Sequence, residues 1–242
     1  MLKIQYIGNT DTGKVRTNNE DAFMINAESG YCLVADGMGG AAAGEMASQF
    51  FAQTAADVLN GASSLSEQQL AESIQSVFQQ ANDRILNHVE QFPEHKGMGC
   101  TAELLAFTDN GFVLGHMGDS RTYRLRDGHF KQLTKDHSLV QEQIDQGVIT
   151  MEQARSHRMR NIILRAVGVH PSLSLDTLRG RIFTGDIFLL CSDGLTDLVT
   201  DEEIIEILIT GSTLSSKARQ LIELANLIGG KDNVTVVLAE VT

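Results

Sequence analysis

Apolar residues along this chain recur at two different spacings, and the alternation between them lays out the elements. Short apolar runs bounded by glycine, asparagine or aspartate occur at 4–7, 22–25, 31–35, 102–107, 112–117, 122–125, 173–178, 187–191 and 234–238. Such runs read as strands, several of them buried on both faces. The Asn110-Gly111 pair between two of the runs predicts a hairpin. Helical spacing governs the rest: Ala43, Met46, Ala47, Phe50, Phe51, Ala55 and Val58 form one stripe, ending at Asn60-Gly61. A second stripe is made by Leu70, Ile74, Phe78, Ala81, Ile85 and Val89. Ser66 and Gln69 have the spacing of a capping box at its start, and Phe92-Pro93 stops it. Thr200 and Glu203 open a third helix carrying Ile204, Ile205 and Leu208. A fourth carries Ala218, Leu221, Ile222, Ala225 and Ile228 and closes at Gly229-Gly230. From about 134 to 169 the apolar pattern weakens, which predicts short helices in a mobile excursion.

Strands, a helix pair, strands, a second helix pair and a last strand give an order that layers well. Hairpin-joined strands make antiparallel sheets, and paired helices cover the outside of each. The expected fold class is therefore α+β, an αββα four-layer sandwich of two antiparallel sheets flanked by helix pairs. No proline-rich or serine-rich linker and no internal repeat divides the 242 residues, so a single domain over 1–242 is expected.

Composition narrows the function classes. A formal net charge of −12 argues against nucleic acid and anionic membrane surfaces as partners. No run approaches the ~20 apolar residues of a membrane span, and the first residues lack a signal peptide's charged and apolar regions, so a cytoplasmic location is expected. Cys32, Cys100 and Cys191 are odd in number, and two lie inside apolar runs, which favours buried thiols over a disulfide or a zinc site.

The chemistry-bearing residues sit where apolar runs end. Asp36-Gly37 follows the run 31–35, Gly118-Asp119 follows 112–117, Ser192-Asp193-Gly194 follows 187–191, and Asp232-Asn233 precedes 234–238. A lone aspartate beside glycine is ordinarily a turn residue, but four at strand ends suggest a converging set. Oxygen ligands of this kind suit hard cations such as Mg2+ or Mn2+. Two carboxylates ~4 Å apart repel by about 4 kcal/mol at an effective dielectric of 20, so such a set needs cations or protons to hold together. A pair of ions sharing a carboxylate can position a bridging water for in-line attack, and phosphate is the matching electrophile. Arg16, four residues before Glu20, is either a bidentate phosphate ligand or a surface arginine.

In order along the chain, Arg16-x-x-Asn19-Glu20-Asp21, Asp36-Gly37-Met38-Gly39-Gly40, Met98-Gly99-Cys100-Thr101, Gly118-Asp119-Ser120-Arg121, Ser192-Asp193-Gly194 and Asp232-Asn233 resemble the motifs of the PP2C or PPM metal-dependent serine/threonine protein phosphatases in their compact bacterial form. The resemblance covers essentially the whole chain. It implies hydrolysis of phosphoserine and phosphothreonine in proteins by direct attack of a metal-bridging water, with two Mn2+ or Mg2+ ions and a third, weaker site. By position it makes Asp36 the bridge, puts the Gly37 carbonyl on the second ion, and gives Asp193 and Asp232 to the first. Glu20 and Asp21 match acids that bind directly or through water. Asp119, with Asp193, matches the third site, and Arg16 matches the phosphate-binding arginine. Residues from about 134 to 169 match the flap. The implied partners are phosphoproteins, substrates of a serine/threonine kinase, for a protein expected to be monomeric.

One departure stands out. Many relatives carry a histidine just inside or just after the glycine motif as general acid, and this chain has Met38 and Ala41 there. A proton donor is worth roughly 10² to 10⁴ in rate for an alkoxide leaving group. A metal-bound water is the first candidate and His137 the second. A chain without either would cleave aryl phosphates better than phosphoserine. The alternative is a PP2C-fold binding module of weak or no activity; a metal-dependent nuclease is disfavoured by the acidic charge. Ser120 and Ser192 have no histidine at triad spacing. Arg121 is expected to anchor its turn by a salt bridge, and Met98 and Met117 to fill the core.

Overall fold

A computed structural model describes residues 2–39 and 43–242; Gly40 and Ala41 of the glycine motif lie outside the described residues. The chain starts with β1 (Ile4–Asp11), β2 (Asp21–Asn26) and β3 (Tyr31–Met38), then α1 (Ala43–Val58) and α2 (Glu67–Gln91). The short β4 (Gly99–Cys100) is followed by β5 (Ala102–Phe107), β6 (Gly111–Met117), β7 (Arg121–Arg126) and β8 (His129–Gln132). After α3 (Leu139–Asp145) and α4 (Met151–Arg155) come β9 (Asp176–Arg181) and β10 (Ile187–Cys191), then α5 (Asp193–Thr196), α6 (Asp201–Leu208), α7 (Leu214–Ile228) and β11 (Val234–Val241).

Two antiparallel sheets face each other. One has the order β1-β11-β10-β7-β8, the other β2-β3-β5-β6-β9 with β4 paired to the end of β3. Cys32, Val34, Leu105, Leu114, Phe188, Leu190 and Val237 pack in the seam between them. On the outside of the second sheet Leu33 and Leu104 meet Phe51 of α1 and Ile74 and Phe78 of α2. On the outside of the first, Leu189, Val236 and Leu238 meet Ile204 of α6 and Leu221 of α7. This is the αββα sandwich that the order of elements predicts. Central strands are buried on both faces, which is why they read as continuous apolar runs.

The local signals account for the helix boundaries. Ser66 caps α2 and Gln69 returns the bond, and Thr200 and Glu203 do the same for α6. The polar excursion forms α3, capped by Ser138, and α4, capped by Thr150 with Gln153. Two strands differ from expectation. The run 173–178 becomes a strand only at Asp176, because Leu173 and Leu175 pack onto the helix-side core before pairing with β6 begins at His116 opposite Asp176. β8 is an edge strand of alternating exposure paired to β7, with too few apolar residues to stand out in sequence.

Candidate metal centre

Both sheets bring their acids to one end of the seam. Asp21 and Asp36 are cross-strand partners on β2 and β3. Asp193 starts α5 after Ser192 at the end of β10, Asp232 with Asn233 leads into β11, and Asp119 lies in the turn between β6 and β7. Ser192 ties the sheets together here: its N–H donates to the Thr235 carbonyl at 3.1 Å, its Oγ accepts from the Thr235 N–H at 3.0 Å and donates to Asp21 Oδ2 at 2.8 Å. Gly194 has to be glycine, since a Cβ would stand 1.8 Å from the Asn233 carbonyl oxygen, so the start of α5 rests directly on the start of β11.

Asn233 holds the loop between β1 and β2. Its Nδ2 donates to the carbonyls of Thr12 (3.0 Å) and Asn18 (2.8 Å), and its Oδ1 accepts from the Glu20 N–H at 2.8 Å. That loop carries Arg16, whose Nη2 donates to Asp232 Oδ2 at 2.7 Å, with both side chains partly open to solvent. The Glu20 carboxylate is turned toward the first turn of α1, where a Cβ on Gly44 would meet Oε2 at 2.7 Å. Replacing Asn233 with alanine leaves three backbone groups short of partners, and a loss of about 2–4 kcal/mol is expected. Thermal melting checks this.

The charges act on one another. Burial first, then Asp21, Asp193, Asp119 and Asp232, hold the Asp36 carboxyl well above the usual carboxylate range. Asp193 is raised in the same way by burial, Asp119, Asp197, Asp232 and Asp21. Burial pushes Asp119 up to about 7 and Asp21 up to about 6. Arg16 is raised by its hydrogen bond to Asp232 and also feels Glu20 and Asp36.

The donor set suits a hard cation. Carboxylates and the Gly37 backbone supply only oxygen, and Asp21 Oδ1 is buried with no hydrogen-bond partner among the described residues. As they stand, no three His, Cys, Asp or Glu side chains among the described residues close on one cation-sized point. Asp232 pairs with Arg16, and Asp21 accepts from Ser192.

Thr101 supports Asp36 from behind: its Oγ1 accepts from the Asp36 N–H at 3.1 Å, its N–H donates to the Asp36 carbonyl at 2.9 Å, and its Oγ1 lies 2.6 Å from Ser120 Oγ. With Ser120 and Ser192 so engaged, and with Cys32, Cys100 and Cys191 buried and their thiols pushed up chiefly by burial, none of these side chains is poised as a nucleophile. Arg121 anchors its turn as expected, donating from Nε to Asp136 Oδ1 at 2.9 Å, from Nη2 to Oδ2 at 2.6 Å and from Nη1 to the Tyr123 hydroxyl at 3.1 Å. Met98 and Met117 are buried in the core. His137 does not fit the role of proton donor: it is buried and both ring nitrogens are engaged, Nδ1 with the Gly118 N–H and Nε2 with Asp176. A cavity of about 220 Å³ opens beside Asp119 and Asp193 between α3–α4 and α5–α6, walled by Val140, Met151, Arg155 and Leu198.

Sequence reasoning passed over Glu103 and treated Asn233 only as part of a motif. A charged residue inside the apolar run 102–107 was the available signal for the first.

Two facing antiparallel sheets, helix pairs outside and aspartates gathered at one end of the seam define the class of the PP2C-fold phosphatases. Comparison with known proteins agrees: the Protein phosphatase 2C family pattern matches residues 12–227. Serine/threonine protein phosphatase PstP of Mycobacterium tuberculosis is 42% identical over 247 residues, covering 99% of this chain and 45% of that protein. Serine/threonine phosphatase stp of Listeria innocua is 39% identical over 235 residues, covering 96% of this chain and 93% of that one. The crystal structure of the catalytic domain of PstP in complex with two manganese ions superposes with a TM-score of 0.91 at 40% identity, covering 100% of both chains. The chain belongs to the protein phosphatase 2C family. It spans less than half of the M. tuberculosis relative and nearly all of the Listeria one.

Proposed function

We propose that this chain hydrolyses phosphoserine and phosphothreonine in proteins, working as one phosphatase domain over 1–242 with a flap at about 134–169. The observation that carries this reading is the mutual charge of Asp21, Asp36, Asp119, Asp193 and Asp232 at the seam end, with Arg16 at its rim. Asp36, the Gly37 carbonyl, Asp193 and Asp232 would hold two divalent cations, Mn2+ or Mg2+, with Glu20 and Asp21 directly or through water, and Asp119 with Asp193 a third. Bound there, the ions supply Lewis-acid polarisation of the phosphoryl group and lower the pKa of water.

The protein's own residues do the rest. Arg16 leaves Asp232 and binds the phosphoryl oxygens through its planar fork, which a lysine matches poorly. Thr101 fixes the backbone on which Asp36 stands. Water attacks phosphorus in line, the bond to the serine or threonine oxygen breaks, and no phosphoenzyme forms, since Ser120 and Ser192 beside the acids are engaged in hydrogen bonds and Cys32, Cys100 and Cys191 are buried. Met38 has no proton to give and His137 is engaged, so solvent in the cleft protonates the leaving alkoxide. Aryl phosphates, which leave without that proton, should be cleaved faster than phosphothreonine peptides.

Among the described residues no helix is long and apolar enough to cross a membrane. The net charge of −12 disfavours nucleic acid and anionic membrane surfaces as partners, and membership of the protein phosphatase 2C family favours a monomeric cytoplasmic enzyme acting in signalling on the substrates of a serine/threonine kinase. The deciding experiment follows p-nitrophenyl phosphate and a phosphothreonine peptide with and without Mn2+. Metal-dependent turnover is expected, with KM raised about tenfold or more in Arg16→Ala and only partly restored in Arg16→Lys. Absence of metal-dependent turnover leaves the inactive binding module, which Met38 and the unclosed acidic set favour.

A further inference from the structure

Behind the acidic end lies a second polar cluster that the proposed reaction does not use. Glu103 of β5 is fully buried in a strand that is otherwise apolar. Its carboxylate accepts from the Thr122 hydroxyl of β7, in the opposite sheet, and pairs with His116 Nδ1 of β6. His116 Nε2 donates to the Lys135 carbonyl at 2.8 Å, at the base of the flap, and its ring lies against that of His137 with centroids 4.5 Å apart. Burial opposes a charge on His116, but Glu103 outweighs it and raises the imidazole to about 9. His137 goes the other way, pushed down to about 4 by burial and then by the charge on His116.

The neutral His137 ring has one acceptor nitrogen and one donor nitrogen. The Gly118 N–H can only donate, and it points at Nδ1 from 3.2 Å, so in the neutral ring the proton sits on Nε2, which faces Asp176 Oδ2 at 3.2 Å; Arg165 Nη1, 3.3 Å from Nε2, is paired to the same carboxylate. The backbone N–H of His137 in turn donates to the Gly118 carbonyl at 2.7 Å. Gly118 is therefore gripped at both its N–H and its C=O by one residue. The grip matters because the ladder of β6 ends at Met117, and Gly118 adopts φ +115, with Thr101 so close that a Cβ would meet its Cβ at 2.5 Å. A backbone turned that way has no strand partner for its N–H, and the next residue is Asp119.

We propose that His137 is a positioning residue for Asp119: Nδ1 fixes the Gly118 peptide, the Glu103–His116 pair holds the ring from behind, and Asp176 fixes its tautomer. The inference rests on reading Asp119 as the ligand of a third cation. It gives the histidine at the flap base a task in placing a ligand, and couples the flap to that ligand through a single side chain.

The test compares His137→Asn with His137→Gln. Asparagine carries its side-chain oxygen near the place of Nδ1 and keeps an acceptor for Gly118; glutamine reaches the place of Nε2, keeps the contact to Asp176 and leaves the Gly118 N–H unpaired. Calorimetric titration with Mn2+ and amide hydrogen exchange over 116–121 are the readouts, with Asp119→Ala as reference. The weakest Mn2+ event should vanish in Asp119→Ala, weaken about tenfold in His137→Gln and stay within about twofold in His137→Asn, with exchange at Gly118 faster only in the glutamine variant. Equal behaviour of the two His137 variants overturns the proposal. If Asp119→Ala leaves every Mn2+ event unchanged, the third-site reading fails, and hydrogen exchange alone then decides whether His137 holds Gly118. Should His137→Gln not fold, Asp176→Ala replaces it: freeing the tautomer must speed exchange at Gly118 and weaken the same Mn2+ event, and no change in either overturns the role.

Discussion

Asp36→Ala and Asp193→Ala are each expected to lower Mn2+-dependent turnover on the order of 10³- to 10⁴-fold, the rate equivalent of losing several kcal/mol of Lewis-acid stabilisation. Each sits at the crowded centre of the acidic set, where the other aspartates oppose its charge. The same crowding sets the sign of a second readout. Without metal, removing either carboxylate relieves repulsion, so the melting temperature of the metal-free variants should hold or rise while that of wild type alone climbs steeply on adding Mn2+. Calorimetry should find fewer Mn2+ ions bound to Asp36→Ala, whereas Asp119→Ala keeps two and turns over more slowly. Unchanged stoichiometry in Asp36→Ala contradicts its bridging role.

Glu103→Ala is expected to be the most destabilising single change, at about 3–5 kcal/mol, because it strands His116 in a dry interior against a charge it can no longer share. For a chain of this length that is a fall of roughly 10 °C in melting temperature. Changing both partners to leucine removes the charged pair together, leaves only the Thr122 hydroxyl and the Lys135 carbonyl short of a partner, and should cost less than Glu103→Ala alone. Equal losses in the single and double variants would show that packing volume, and not the pair, explains the cost. The thermal measurement is best made without metal, so that effects on Asp119 do not enter.

How far the sequence reaches can be seen residue by residue. The capping pairs Ser66–Gln69 and Thr200–Glu203 were legible because a cap is a contact between residues three apart. The strands 187–191 and 234–238 were legible because burial on both faces leaves a continuous apolar run. Aspartates beside glycine or asparagine at strand ends were legible as a set gathered at one edge of the sandwich. β8 was not legible, since an edge strand needs little apolar content, and the start of β9 depended on which of Leu173, Leu175 and Leu178 the helices claimed first.

Sequence alone determined the layers and the placing of aspartates at strand ends, since periodicity, capping and glycine turns are encoded within a few residues of one another. Tertiary structure decided that Asn233 staples the Arg16 loop, that Glu103 and His116 share a buried charge between neighbouring strands of one sheet, and that His137 grips Gly118 instead of donating to a leaving group. Those roles join residues 13 to 221 positions apart. A hydrogen bond reports only which groups the packed sheets bring within 3 Å or so, and no local pattern carries that distance.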